Sequence, residues 1–472
     1  MNKNHVLLWL AFFCSSIFIF STELNQEQEA ETAGPSNNYT VVPNANASGG
    51  NFIKLKNEAP SGTLQYNLTD IIAGTYKLEV HTFNGGTALN LDISVNGATA
   101  TSISLQPSNW AYQGNAKVSL FDVSLTSGTN TISFTANGSD ILLDKFVVTE
   151  HYNDYYISAV GDDANDGSIG MPWETLAKAS AIAEKDTSGG LLVPGDKLFF
   201  RAGDTFEGNF LVKCSGTEAS PIEIGSYGIG ELPIISGSGN ISGGDYYEAI
   251  KYINASHILM TDLWIQNDRQ NNSRYTYGET NGYGIRVTAN KWGGVSSGLI
   301  FRGLKITNVY GTTLPTDFDE LNVTGLRFEA EQNETNLQIS IKDVLIEDCY
   351  FSEIGKAGVW AIHKGTDSAT DDLVNRNEDF VIRNNTFYQT GGSGVILSKM
   401  YNARVENNDF DHSGYSNGTE TRLAGRGSGM WVFKCINVLA QYNRSFSVRG
   451  SGDSYGMHID FGNKNIIFQY NY

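Results

Sequence analysis

Three stretches, VLIEDCYF (Val344–Phe351), FVIRNNTF (Phe380–Phe387) and ARVENNDF (Ala403–Phe410), decide the fold of this 472-residue chain. Each begins with apolar residues at every second position, the period of a strand with one buried face. The pattern recurs upstream in ILMTDLWI (Ile258–Ile265) and LIFRGLKI (Leu299–Ile306). Downstream it returns in VLAQYNRS (Val438–Ser445) and IIFQYN (Ile466–Asn471). Superposed, the copies stack Leu263, Leu304, Cys349, Asn385, Asn408, Asn443 and Asn471 in one column. Their spacing of about 20 to 45 residues fits coils whose loops vary in length. The four asparagines read as an internal amide ladder at the bend of the coil.

A second strand follows each copy, opening on Gly284, Gly325, Gly358, Gly394, Gly429 or Gly456. Two strand types in one fixed order, without hairpin turns, predict an all-β right-handed parallel β-helix over residues 151–472. Alternation then sends Arg286, Arg327, Trp360, Ile396, Trp431 and His458 outward in one column. Thr288, Glu329, Ile362, Ser398, Phe433 and Asp460 form the next, and His363, Lys399 and Lys434 align at the strand ends. Such a stripe of cations and aromatics, about six coils long at about 4.8 Å each, suits a chain-like ligand. The last coil stops at Tyr472 inside a strand, so the chain is expected to be a fragment or to need a covering partner.

The front of the chain has a different rhythm. Lys3 and His5 precede an apolar run from Val6 to Phe20, which reads as a cleaved export signal over residues 1–21. Cys14 raises a lipoprotein signal, but bulky Phe13 precedes it. No later segment approaches the roughly 20 apolar residues of a membrane span. Residues 22–38, rich in Glu and Gln, read as a linker. Residues 39–150 carry short alternating runs at Tyr76–Val80, Leu89–Val95, Val118–Val123, Thr131–Phe134 and Ile141–Val148, with turns at Gly85–Gly86, Asn96–Gly97 and Ser127–Gly128. That pattern predicts an antiparallel β-sandwich preceding the β-helix.

Composition narrows the function. A net charge of −19 excludes nucleic acid as a partner, since phosphate binding needs a basic face. A local basic groove on an acidic body remains open to an anionic glycan. Cys214, Cys349 and Cys435 match no zinc spacing and read as buried free thiols. GDDANDG (Gly161–Gly167) and Asp371–Asp372 are oxygen-rich calcium candidates, yet neither has a complete calcium-loop spacing, and GDDANDG reads more simply as a turn.

Two resemblances add to this. AGTYKLEV (Ala73–Val80), LDISVNG (Leu91–Gly97), LTSGTNTISF (Leu125–Phe134) and DILLDKFVV (Asp140–Val148) resemble the family-six and family-thirty-five carbohydrate-binding modules. The resemblance implies that Trp110 or Tyr112 stacks on a sugar ring; Leu142 or Leu143 stands where those families often carry a polar residue. The opening from Tyr155 to Ala179, with a short helix expected over Trp173–Glu184, resembles the cap of secreted right-handed β-helix proteins. PGDKLFFRAGDTF (Pro194–Phe206) resembles their first coils. These include pectate-lyase-like polysaccharide lyases and related hydrolases.

Two chemistries compete for an exported, monomeric enzyme acting on an acidic polysaccharide. A β-eliminating lyase, ranked slightly first by the cationic stripe, would use Lys399, Lys434 or His458 as base. Arg286 and Arg327 would hold carboxylates or sulfates, with His363, Trp360 and Trp431 completing the binding face. A glycoside hydrolase would instead use Asp453 and Asp460, in GSGDSYGMHIDFG, as its carboxylate pair, provided that the Ser454–Tyr455 turn folds back. A non-catalytic glycan-binding or adhesive rod is the rival reading.

Overall fold

The computed structural model describes residues 25–472 except 34–36, 44–46, 48, 59, 72–73, 84–88, 106–116, 151–152, 185–190, 238–246, 270–279, 313–320, 335–336 and 367–372. The chain divides after His151 into two compact units.

The first unit is antiparallel. One sheet runs Tyr39–Pro43, Asn51–Leu55, Ile141–Glu150, Gly74–Phe83 and Lys117–Leu125, and a second runs Thr63–Ile71, Gly128–Asn137, Leu89–Val95 and Thr101–Leu105. Their alternating apolar residues, among them Leu64, Leu78, Leu91, Phe134, Leu143 and Phe146, form one core cluster. Part of the segment read as a linker is instead a strand: Asn25–Glu29 pairs with Lys145–Thr149. Backbone pairing along a sheet edge needs no apolar period, which is why the composition hid it. Asn51–Leu55 occupies the same edge further along, and a register break at Asp144 separates the two pairings.

The second unit is a right-handed parallel β-helix of three sheets. Ten strands from Asp154–Ile157 to Lys464–Gln469 form the first, eight from Thr205–Glu207 to Arg444–Phe446 the second, and eight from Phe210–Val212 to Met457–Ile459 the third. The cap helix is shorter than the sequence suggests, spanning Leu176–Ile182. Thr175 caps it through its side chain, and Asp163 binds both Glu174 N and Thr175 N, so the preceding residues stay extended.

Interior stacking holds the coils in register. The Oδ1 of Asn385, Asn408, Asn443 and Asn471 accepts from the backbone N of the residue one coil below, at 2.9–3.0 Å. Their amide nitrogens donate to Ile346, Ile382, Val405 and Ala440 carbonyls. Beside this ladder Phe351, Phe387 and Phe410 stack face to face at 4.7 and 5.1 Å. That stack explains two of the glycines opening the third-sheet strands, Gly358 and Gly394. A Cβ on Gly358 or Gly394 would lie 2.4 or 2.3 Å from a ring of Phe387 or Phe410.

Candidate functional site

The outward columns of the third sheet exist as the alternation requires. Arg286, Arg327, Trp360, Ile396, Trp431 and His458 pair coil to coil, and Thr288, Glu329, Ile362, Ser398 and Phe433 run beside them. The surroundings of these side chains differ from the expectation in four respects.

His363 is not part of the face. It continues the inward set after Val359 and Ala361 and is fully buried. Its Nε2 lies 2.7 Å from Ile339 O, and Gly365 N donates to Nδ1 at 3.0 Å, so the ring is held neutral with its proton on Nε2. Burial pushes its pKa down to about 4. Lys399 and Lys434 sit one coil apart but at the corner that follows the strand, with φ of 54° and 52°. The left-handed turn ends the alternation there. Lys399 Nζ donates to Gly365 O, and Lys434 Nζ lies 5.0 and 5.6 Å from the Phe433 and Phe461 rings.

Arg286 and Arg327 are already engaged. Glu329 accepts from Arg286 at 2.6 and 2.8 Å and from Arg327 at 3.0 and 3.1 Å, while Glu248 accepts from Arg286 at 2.9 Å. Burial opposes the Glu329 charge, but Arg327 and Arg286 outweigh it and hold the carboxyl at about 2. Trp360 lies between cations, 3.7 Å from the Arg327 guanidinium and 4.7 Å from Lys356 Nζ, rather than open to a sugar.

The upper end of the columns is different. Trp431 and His458 stack at 6.3 Å and 16°, with Tyr455 edge-on to His458 at 5.2 Å. Asp460 Oδ2 accepts from Trp431 Nε1 at 2.9 Å, and Oδ1 from Phe461 N at 2.7 Å. Asp453, in the turn entering the same strand, accepts from Arg426 at 2.7 Å. Arg426 ends a strap, residues 412–427, that is hydrogen-bonded down the coils. Arg426 N bonds Gly391 O, Ala424 N bonds Gly355 O, and the Arg422 side chain reaches Gly311 O and Asp268. The upper end of the columns therefore carries Asp460 beside the Trp431, His458 and Tyr455 rings, with Asp453 held by Arg426 ahead of the same strand.

The sequence offers Asp411–Arg426 as a loop able to cover outward aromatics, but not its hydrogen bonding along the coils or the places of Arg426 and Tyr455. RGSG and SGDSYG contain turn residues only, and nothing local says that a loop folds back along the axis. Trp110 and Tyr112 lie outside the described residues, as does Asp371–Asp372. In the other calcium candidate, Asp162, Asp163 and Asp166 each accept backbone N–H groups of the turn. Among the described residues no group of three or more His, Cys, Asp or Glu could hold a metal. The three cysteines are free and buried, their thiols pushed up by burial to about 12, 12 and 11 for Cys214, Cys349 and Cys435.

No protein-family model matches the sequence, and no curated protein does. Solved structures do match. The GH136 lacto-N-biosidase from Eubacterium ramulus is 23% identical over 68% of this chain and 56% of its own, with a TM-score of 0.53. This chain thus spans little more than half of that enzyme. A family 35 carbohydrate binding module from Clostridium thermocellum is 25% identical over 26% of this chain and 98% of its own, with a TM-score of 0.24. An exo-beta-1,3-galactanase from Phanerochaete chrysosporium is 24% identical over 27% of this chain and 30% of its own, with a TM-score of 0.25.

Proposed function

We propose that this chain is an exported glycan-cleaving enzyme, a glycoside hydrolase, with Asp453 and Asp460 as its carboxylate pair. The observation that carries the reading is the orientation of Asp460 by Trp431 Nε1, beside the stacked rings of Trp431 and His458. Glycoside hydrolysis needs one carboxylic acid to protonate the leaving oxygen. A second carboxylate attacks the anomeric carbon or activates water there. Flat aromatics alongside suit the apolar C–H face of a sugar. Arg426 and the Trp431 indole fix the two carboxylates in place, and Tyr455 extends the platform.

The lyase reading loses support because four of its six cations have other work. Glu329 and Glu248 neutralise Arg286 and Arg327, Lys399 donates to a backbone carbonyl, and His363 lies in the core. The shared fold with a lacto-N-biosidase supports hydrolysis as the reaction to test first. The antiparallel unit would add glycan binding through Trp110 and Tyr112. Among the described residues no helix is long and apolar enough to cross a membrane.

Purified protein incubated with neutral and acidic polysaccharides and with a lacto-N-biosidase substrate tests this. Release of reducing ends without absorbance near 232 nm is expected. Absorbance with new ends would indicate a lyase and overturn the hydrolase. Binding without either would favour the adhesive rod.

A further inference from the structure

A second polar centre lies on the same columns, four coils below Trp431, which is about 19 Å along the axis. There a cavity of 260 Å³ is lined by Lys251, Arg286, Asn290, Glu329, Glu331 and Lys364, among others. Its size is near the lower end of small-molecule pockets, about 300 Å³, and fits one sugar residue rather than a drug-sized ligand.

Arg286 and Glu329, which line the cavity, belong to an ion network: Glu329 and Glu248 hold Arg286 at 2.6–2.9 Å, and Glu329 holds the buried Arg327 at 3.0 and 3.1 Å. The two lysines are not consumed in the same way. Lys364 Nζ lies 3.3 Å from Glu329 with its side chain 49% exposed, and Lys251 Nζ lies 3.3 Å from Glu248 with its side chain 30% exposed. An ammonium carries three donors, and one long ion pair leaves capacity for a ligand. Counting Lys251, Arg286, Arg327 and Lys364 against Glu248, Glu329 and Glu331 gives four cations and three carboxylates, a surplus of one positive charge. On a chain of net charge −19 that surplus is a local exception. The sequence reading overlooked Lys251 because its strand, EAIKYI, lacks the opening glycine of the other copies, although it pairs in register with Arg286.

We propose that this cavity is a subsite for a single anionic group, a carboxylate or sulfate, on a sugar residue of a chain laid along the column, recognised by Lys251 and Lys364. The subsite rests on reading the outward columns as a glycan-binding face. It separates the two duties on that face: acid–base chemistry at Asp453 and Asp460, and charge recognition about five coils below.

The test is calorimetric binding to Asp460→Asn protein, which removes turnover, with three probes: an oligogalacturonate hexamer, its fully methyl-esterified counterpart, and a sulfated galactan hexamer. At least tenfold tighter binding of one or both anionic probes than of the ester is expected, weakening as salt rises. Preference between the two anionic probes identifies carboxylate or sulfate. Lys251→Gln with Lys364→Gln should abolish that selectivity, and Lys251→Arg with Lys364→Arg should retain it. Equal affinity for charged and esterified hexamers, or selectivity unchanged in the double Gln variant, would overturn the subsite. Charge-selective binding by a wild-type protein that cleaves no glycan leaves the subsite standing and rejects the hydrolase. Cleavage by wild type with no charge selectivity in Asp460→Asn does the reverse.

Discussion

The indole Nε1 of Trp431 donates to Asp460 Oδ2 across 2.9 Å, from one coil to the next. A ring of the proposed sugar platform thereby also sets the angle of a carboxylate. The coupling predicts that Trp431→Phe, which keeps a ring but removes the donor, lowers kcat more than it raises KM. Asp460→Asn and Asp453→Asn should each cost about 10²–10⁴-fold in turnover, the range for a lost acid–base group. Steady-state kinetics on any cleaved glycan checks all three; full activity in both Asn variants rejects the site.

The strap supplies a second dependence. Arg422 is nearly buried and bonds Asp268, Glu420 and Gly311 O, anchoring residues 412–427 whose far end carries Arg426 and so Asp453. Breaking such a clamp removes the strap's attachment to Asp268 and leaves the Gly311 carbonyl without that donor. Arg422→Ala should make the strap a preferred site of limited proteolysis and reduce turnover about tenfold. Cleavage elsewhere first, or an unchanged pattern, would mean that the strap holds without it.

The amide ladder sets a stability expectation. Asn408→Ala orphans the N–H of Asn385 and the carbonyl of Ile382, both in the interior. At about 1–3 kcal/mol for each buried unsatisfied group, the loss should be roughly 2–5 kcal/mol. A loss of unfolding free energy below about 1 kcal/mol in urea would show that water replaces the amide.

His363 predicts a pH dependence. Its folded pKa of about 4 lies below the ordinary value of 6.5, because burial disfavours the charge and Nδ1 faces the Gly365 N–H. The unfolded chain therefore takes up this proton first as pH falls. The contribution is fully present above pH 6.5 and is lost progressively between 6.5 and 4, by up to about 3 kcal/mol. Urea midpoints of wild type and His363→Gln, compared at pH 7.5, 5.5 and 4.5, should converge as pH drops; parallel curves would refute the assignment.

Overpacking tests the coil geometry itself. Gly394→Ala places a methyl 2.3 Å from the Phe410 ring and should cost about 1–3 kcal/mol. The paired change Gly394→Ala with Phe410→Leu should recover part of that loss, because this ring is the nearest clash, ahead of Gly429 O at 2.8 Å.

The repeat itself was legible in the chain. Asn385, Asn408, Asn443 and Asn471 form the ladder that their alignment implies, and the glycines of GLRFEA, GVWAIHK and GVILSK mark the close approaches. A strand's side-chain period is a local property, so the columns from Arg286 to His458 follow from sequence once the coil is recognised. Tertiary structure decided what each column does. His363 turns inward because the strand extends one residue further than the motif suggests, whereas Lys399 and Lys434 leave it at left-handed corners. Arg286 and Arg327 meet Glu329 and Glu248, the latter from a strand whose motif differs from the others. Arg426 reaches Asp453 only because a loop doubles back along the axis. Periodicity fixes which way a side chain points, but charge compensation and access depend on neighbours brought together from distant coils, and no local pattern encodes those distances.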